Sequence, residues 1–210
     1  IPMQIPGKKL TKYLNKLAVW RPLQSASSLR PFYTRYVIIP TLAERQTLPL
    51  TIQSLATNPP EVLADTLIVA VVNNPPLQSL PGHTKHNWYQ QNQATLQWLQ
   101  NATHDNTINI AWIDLSSQGY ELPKERGVGL VRKIGCDSVL HAMSQSRTLP
   151  GLDDIFFLHL DADTLVDPNY LTAAPRQLAA SGAGGGTILY KHQRPETPRD
   201  RISIELYEKH

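Results

Sequence analysis

Ile155-Phe156-Phe157-Leu158-His159-Leu160-Asp161-Ala162-Asp163 is the stretch on which the fold turns: an almost wholly apolar run leads straight into two carboxylates one residue apart. A short continuous apolar run is the pattern of a strand covered on both faces. Side chains of an extended chain alternate, so Asp161 and Asp163 point to the same side. At a strand end their mutual repulsion disfavours double ionisation unless a cation is present. Hard oxygen ligands suit Mg²⁺ or Mn²⁺, which take one or two carboxylates and complete the shell with substrate phosphates. The competing role is capping of the following turn; the strand-end position favours the metal.

Working outward, three more runs of the same texture lie upstream. Tyr36-Val37-Ile38-Ile39 is closed by Pro40, Leu67 to Val72 stops at Asn73-Asn74-Pro75-Pro76, and Asn109 to Asp114 forms a third. Helices are expected between and after them: Leu42 to Leu55 with Pro49 in its first turn, a glutamine-rich Trp88 to Ala102, Leu130 to Met143, and Asn169 to Ala180. Pro75 to Asn87 reads as loop. Gly184-Gly185-Gly186 leads into a strand at Thr187 to Tyr190, and a last helix starts near Asp200. Strands alternating with helices predict an α/β fold with a mostly parallel sheet flanked by helices. Ligands of such sheets bind beyond the carboxyl ends of the strands. That rule selects Thr41 to Glu44, Asn73-Asn74 and Asp161 to Asp163.

Residues 1–35 read as a separate basic arm and linker, with 36–210 as the main domain. Lys8, Lys9, Lys12 and Lys16 project to one side of a helix and Leu10, Tyr13, Leu14 and Leu17 to another. Packing on the domain is the preferred reading of this helix; contact of residues 8–20 with an anionic membrane surface is the other. Gln24-Ser25-Ala26-Ser27-Ser28 reads as linker.

Composition narrows the function classes. The 210 residues are 41% hydrophobic and 18% charged with a net charge of +3, a globular chain too weakly basic for a nucleic-acid partner. One cysteine, Cys136, excludes an internal disulfide and suits a reducing compartment. No apolar run reaches membrane-spanning length and no signal-peptide core opens the chain, so the expected location is cytoplasmic, peripheral at most to the inner membrane face. Ile1 and the uncapped last residues suggest a processed or trimmed chain. Pro40 to Glu44 holds no glycine fingerprint, which speaks against a nicotinamide or flavin enzyme. No G-x-S-x-G elbow occurs. His83-Thr84-Lys85-His86 reads as a surface loop, His159 as a satisfied core histidine, and Cys136 as a buried apolar residue. Arg132 and Lys133 open a helix after Gly127 and Gly129, a place that attracts phosphate; taken alone, they read first as solvent-facing charge.

Four segments together resemble the nucleotide-sugar-dependent glycosyltransferases of GT-A fold, especially the bacterial family-two group. Val37 to Glu44 is similar to that family's first strand with its P-T-x-x-E turn, and Leu67 to Asn74 to its second strand. Gly129 to Gly135 is similar to its A-R-N-x-G helix start, and Phe156 to Leu171 to its D-x-D strand and loop. The resemblance implies a metal-dependent, hexosyltransferase-like enzyme that moves a sugar from a nucleotide-diphosphate sugar to a hydroxyl acceptor. It implies that Pro40, Thr41 and Glu44 line the base and ribose, that Asn73 and Asn74 stand where carboxylates usually meet the base, and that Arg132 and Lys133 serve the diphosphate. By the same resemblance Asp161 lies by the ribose or the metal, and Asp163 ligates Mn²⁺ or Mg²⁺. An inverting transfer needs a base at the acceptor hydroxyl; His192, Glu196, Asp200, Glu205 and Glu208 are the downstream candidates, none in a motif. Two other functions compete. A module that binds the nucleotide sugar without turnover would account for the lack of a base motif. A haloacid-dehalogenase-type phosphatase also uses an apolar strand ending in D-x-D, but Leu165 stands where its threonine or valine belongs.

Overall fold

Short continuous apolar runs leave little choice but strands in a sheet interior, and four of them form one sheet. The computed structural model describes residues 7–101, 108–123, 126–146, 154–191 and 193. The strands are β1 (Arg35–Thr41), β2 (Thr66–Asn73), β3 (Asn109–Leu115) and β4 (Phe156–His159), in the order β3-β2-β1-β4. All pairings are parallel, with Val37 opposite both Ile68 and Leu158, and Ile68 opposite Ile110. The helices are α1 (Gly7–Lys16), α2 (Leu48–Ala56), α3 (Pro60–Leu63), α4 (Gly82–Asn101), α5 (Val128–Ser144) and α6 (Tyr170–Ser181). β2 is buried along its whole length, as its uninterrupted apolar run requires.

Period-two alternation fixes what each sheet face meets. Tyr36, Ile38, Leu67, Val69, Val71, Ala111 and Ile113 form one core with Val131, Ile134, Val139 and Met143 of α5. That stripe on α5 is the one its sequence spacing predicts. Helix and sheet approach most closely at Gly135, where a β-carbon would lie 2.5 Å from Ile38 Cγ2 and 3.2 Å from Val71 Cγ2. Only glycine lets α5 ride this low on β1.

Several boundaries differ from expectation. α2 begins at Leu48 rather than Leu42, because the chain after β1 enters a left-handed conformation at Ala43 (φ 57°) that a helix cannot contain. Pro49 still occupies the first turn. α4 begins at Gly82, so His83 to His86 lie on its first turn, exposed, instead of in a loop. Gln24 and Ser25, expected within a linker, are bonded to the edge of β3: Gln24 forms an antiparallel backbone bridge with Trp112, and Ser25 Oγ donates to the Ile110 carbonyl at 2.8 Å.

The chain divides into a unit of residues 1–173, which contains the sheet, and one of residues 174–210. In the second, residues 182–191 carry no regular structure where described, and Leu189 is fully exposed. The strand expected at Thr187 to Tyr190 is therefore not formed. Strand-forming residues have no regular structure of their own without a paired neighbour. The helix expected from Asp200 lies outside the described residues.

Candidate functional site

With all strands parallel, β1, β2 and β4 end on the same side of the sheet. The acidic pair continues from β4: Leu160 N–H donates to the Ile38 carbonyl at 3.2 Å, and the chain then turns, with Thr164 N–H bonded to the Asp161 carbonyl at 3.1 Å. Asp161 and Asp163 are exposed, and Ala162 between them is buried. The Ala162 carbonyl accepts the Thr51 hydroxyl of α2 at 2.8 Å, which fastens the loop to the body. The two carboxylates thus stand outward on either side of an anchored residue.

α5 supplies the facing cation. Arg132 Nη2 donates to Asp161 Oδ1 at 2.6 Å, and the Asp161 side chain is still 63% exposed. Arg132 Nε is buried without a partner. Lys133 is not brought to this point. Its ammonium binds Asp137 Oδ2 at 2.6 Å and the Tyr13 hydroxyl at 2.8 Å. Adjacent helical residues lie about 100° apart, so Arg132 and Lys133 serve different surfaces.

Asn73 and Asn74 at the end of β2 are both buried. Asn74 Oδ1 accepts from Asn92 Nδ2 at 2.9 Å and Asn74 Nδ2 donates to the Pro75 carbonyl, whereas Asn73 Oδ1 is buried without a partner. Thr41 is fully buried, its hydroxyl donating to the Ile39 carbonyl, and Pro40 is half-buried beside it. Glu44 is half-buried and accepts the Thr47 hydroxyl.

Asn92 of α4, which the sequence reading passed over, joins these loops. Its Oδ1 accepts the Ala43 N–H at 2.9 Å, and its Nδ2 donates to the Asn73 carbonyl and to Asn74 Oδ1. The bond to Ala43 helps hold a φ that costs energy for a residue with a β-carbon. A signal was present: Asn92 shares the buried stripe of Thr95, Leu96 and Leu99, where a polar side chain must find partners.

Cys136 and His159 touch, with Sγ and Nε2 3.8 Å apart. They are not an activated pair. Burial pushes the Cys136 thiol up to about 11, while burial and then the neighbouring Arg132 lower the His159 imidazole. His159 is exposed, not the core residue expected from strand alternation. Native Cys136 is expected to react with iodoacetamide at pH 8 about a hundredfold more slowly than in the urea-unfolded chain, each unit of thiol pKa removing a factor of ~10 in thiolate. Equal rates would overturn this assignment.

Two cavities lie along α4. One, of about 610 Å³, is lined by Gln90, Gln93, Gln97 and Asp114, and the other, of about 420 Å³, by Lys85, His86, Gln118 and Glu121; Tyr89 borders both. Neither is lined by a site residue chosen from the sequence. Among the described residues no three His, Cys, Asp or Glu side chains converge as a metal cage. No protein-family model and no curated protein matches the chain. His192, Glu196, Asp200, Glu205 and Glu208 lie outside the described residues.

Proposed function

We propose that the chain is a GT-A-type glycosyltransferase domain that moves a sugar from a nucleotide-diphosphate sugar to a hydroxyl acceptor with Mn²⁺ or Mg²⁺ bound. We place it in the cytoplasm, peripheral to the inner membrane face. The observation that carries the reading is the pair of exposed carboxylates, Asp161 and Asp163, held either side of anchored Ala162 on the carboxyl side of a parallel sheet, with Arg132 bonded to Asp161. This donor set fits a hard divalent cation. Such ions take one or two carboxylates and leave the remaining positions to phosphate and water, so a full protein cage is not required.

When bound, the cation neutralises charge on the departing nucleoside diphosphate. The protein groups act around it. Arg132, with its unpaired Nε, donates to diphosphate oxygens where negative charge builds during sugar transfer. Asn73 offers a buried carbonyl oxygen without a partner to a base N–H, and Asn74, fixed by Asn92, sets the adjoining backbone. Glu44, half-buried in the turn after β1, would border the base and ribose, and fully buried Thr41 would support that turn from within. Because Lys133 is engaged by Asp137, phosphate recognition falls to Arg132.

A thermal-shift series with UDP, GDP and dTDP, each with Mn²⁺ or with EDTA, tests the proposal. A ligand at about 100 times its Kd adds ~2.7 kcal/mol of apparent stability, a shift of several degrees. We expect at least one nucleotide to raise Tm with Mn²⁺ and to lose that effect in EDTA; no shift with any of them would refute the reading. Sugar release or transfer from the matching donor then separates an enzyme from a module that binds without turnover.

A further inference from the structure

The charges of this chain are sorted. Residues 1–35 hold seven of the twenty Lys and Arg and none of the seventeen Asp and Glu, which leaves thirteen against seventeen in the remainder. The first segment is thus +7 and the rest −4. Such sorting gives the molecule a polarity that its small net charge conceals.

The structure shows which part of the arm is committed to the body. Tyr13 faces α5, its hydroxyl donating to Asp137 Oδ1 at 2.7 Å and accepting from Lys133. After α1, Val19 N–H donates to Asp137 Oδ2 at 2.7 Å and Arg21 N–H to Ser138 Oγ at 2.9 Å. The Trp20 ring stacks on His141 with centroids 3.5 Å apart. These contacts hold α1 on α5 with Leu10, Tyr13 and Leu14 partly covered.

Lys9, Lys12 and Lys16, at spacings of three and four, share a face that stays exposed. Leu17, next to Lys16, is 65% exposed, and Val19, Trp20 and Arg21 are exposed beside it. One face of this helix therefore packs on α5 while its lysine face stays exposed. We infer that this outer face docks the protein on an anionic lipid bilayer, the lysines and Arg21 on headgroups and Leu17 in the headgroup–acyl boundary. Charge complementarity selects an anionic surface, and an exposed leucine just past the helix, next in sequence to Lys16, selects a bilayer over a nucleic acid, whose phosphates offer an aliphatic side chain nothing. The inference does not rest on sugar transfer, and its readout is separate from nucleotide binding.

The test is co-sedimentation of the full chain with phosphatidylcholine vesicles, alone or with about a third phosphatidylglycerol. Binding is expected to be at least about tenfold stronger to the anionic vesicles and to weaken in high salt. Two variants separate the terms: the triple change Lys9→Glu, Lys12→Glu, Lys16→Glu, and the charge-neutral Leu17→Ser. Their side chains are exposed, so unfolding midpoints near wild type are expected and are checked by urea titration. The triple variant should lose about tenfold or more in affinity, and Leu17→Ser several-fold at constant charge. Equal binding to both vesicle types, unchanged binding of either variant, or equally tight binding of a short DNA duplex would each overturn the inference.

Discussion

Replacing Asp163 with alanine should lower the Mn²⁺-dependent affinity for the nucleoside diphosphate by about a hundredfold or more, while the urea midpoint stays close to wild type. A carboxylate that ligates a hard cation supplies both charge and a coordination position, and water replaces only the second. Asp163 is exposed, and exposed substitutions usually change stability by no more than about 0.5 kcal/mol. Loss of binding with fold retained would thus report on the ligand. Calorimetric titration with nucleotide and Mn²⁺ is the measurement; an unchanged dissociation constant would remove the metal from the site. Asp163→Asn should be nearly as damaging, because an amide keeps the shape and loses the charge.

The largest effect on stability is expected at Asp137. This carboxylate is 1% exposed and accepts three donors: the Tyr13 hydroxyl, the Val19 N–H and the Lys133 ammonium. Alanine there takes the acceptor from the Tyr13 hydroxyl and the Val19 N–H, and leaves Lys133 only its bond to Tyr13. Hydrogen bonds to a charged group are worth about 1.5–3 kcal/mol each, less where partly exposed, so a loss of about 3 kcal/mol in urea unfolding is expected. Asp137→Asn should recover part of it, since the amide oxygen can still accept the Val19 N–H. A loss under about 1 kcal/mol would show that the arm is held by other means.

Much of this fold was legible because its central strands β1 and β2 are buried on both faces. Tyr36 to Ile39, Leu67 to Val72 and Phe156 to Leu158 are apolar without alternation, and each became part of a strand of the parallel sheet. The acidic pair was legible for the same reason, since a polar break after such a run marks the sheet edge. Less legible were features set by partners far away in sequence. Lys133 reads as a phosphate cation from its neighbours, yet Asp137 one turn on and Tyr13 in the arm claim it. The late start of α2 depends on the conformation at Ala43, which Asn92 steadies from α4. The strand signal at Thr187 to Tyr190 failed because propensity describes a residue's preference and says nothing of a neighbour to pair with.

Gly135 ties core spacing to site geometry. It lies three residues after Arg132, so one helical turn separates the tightest helix–sheet gap from the guanidinium that meets Asp161. The altitude of α5 above β1 is therefore a vernier for the site: a methyl group inserted at residue 135 would lift the guanidinium from its carboxylate without touching any ligand.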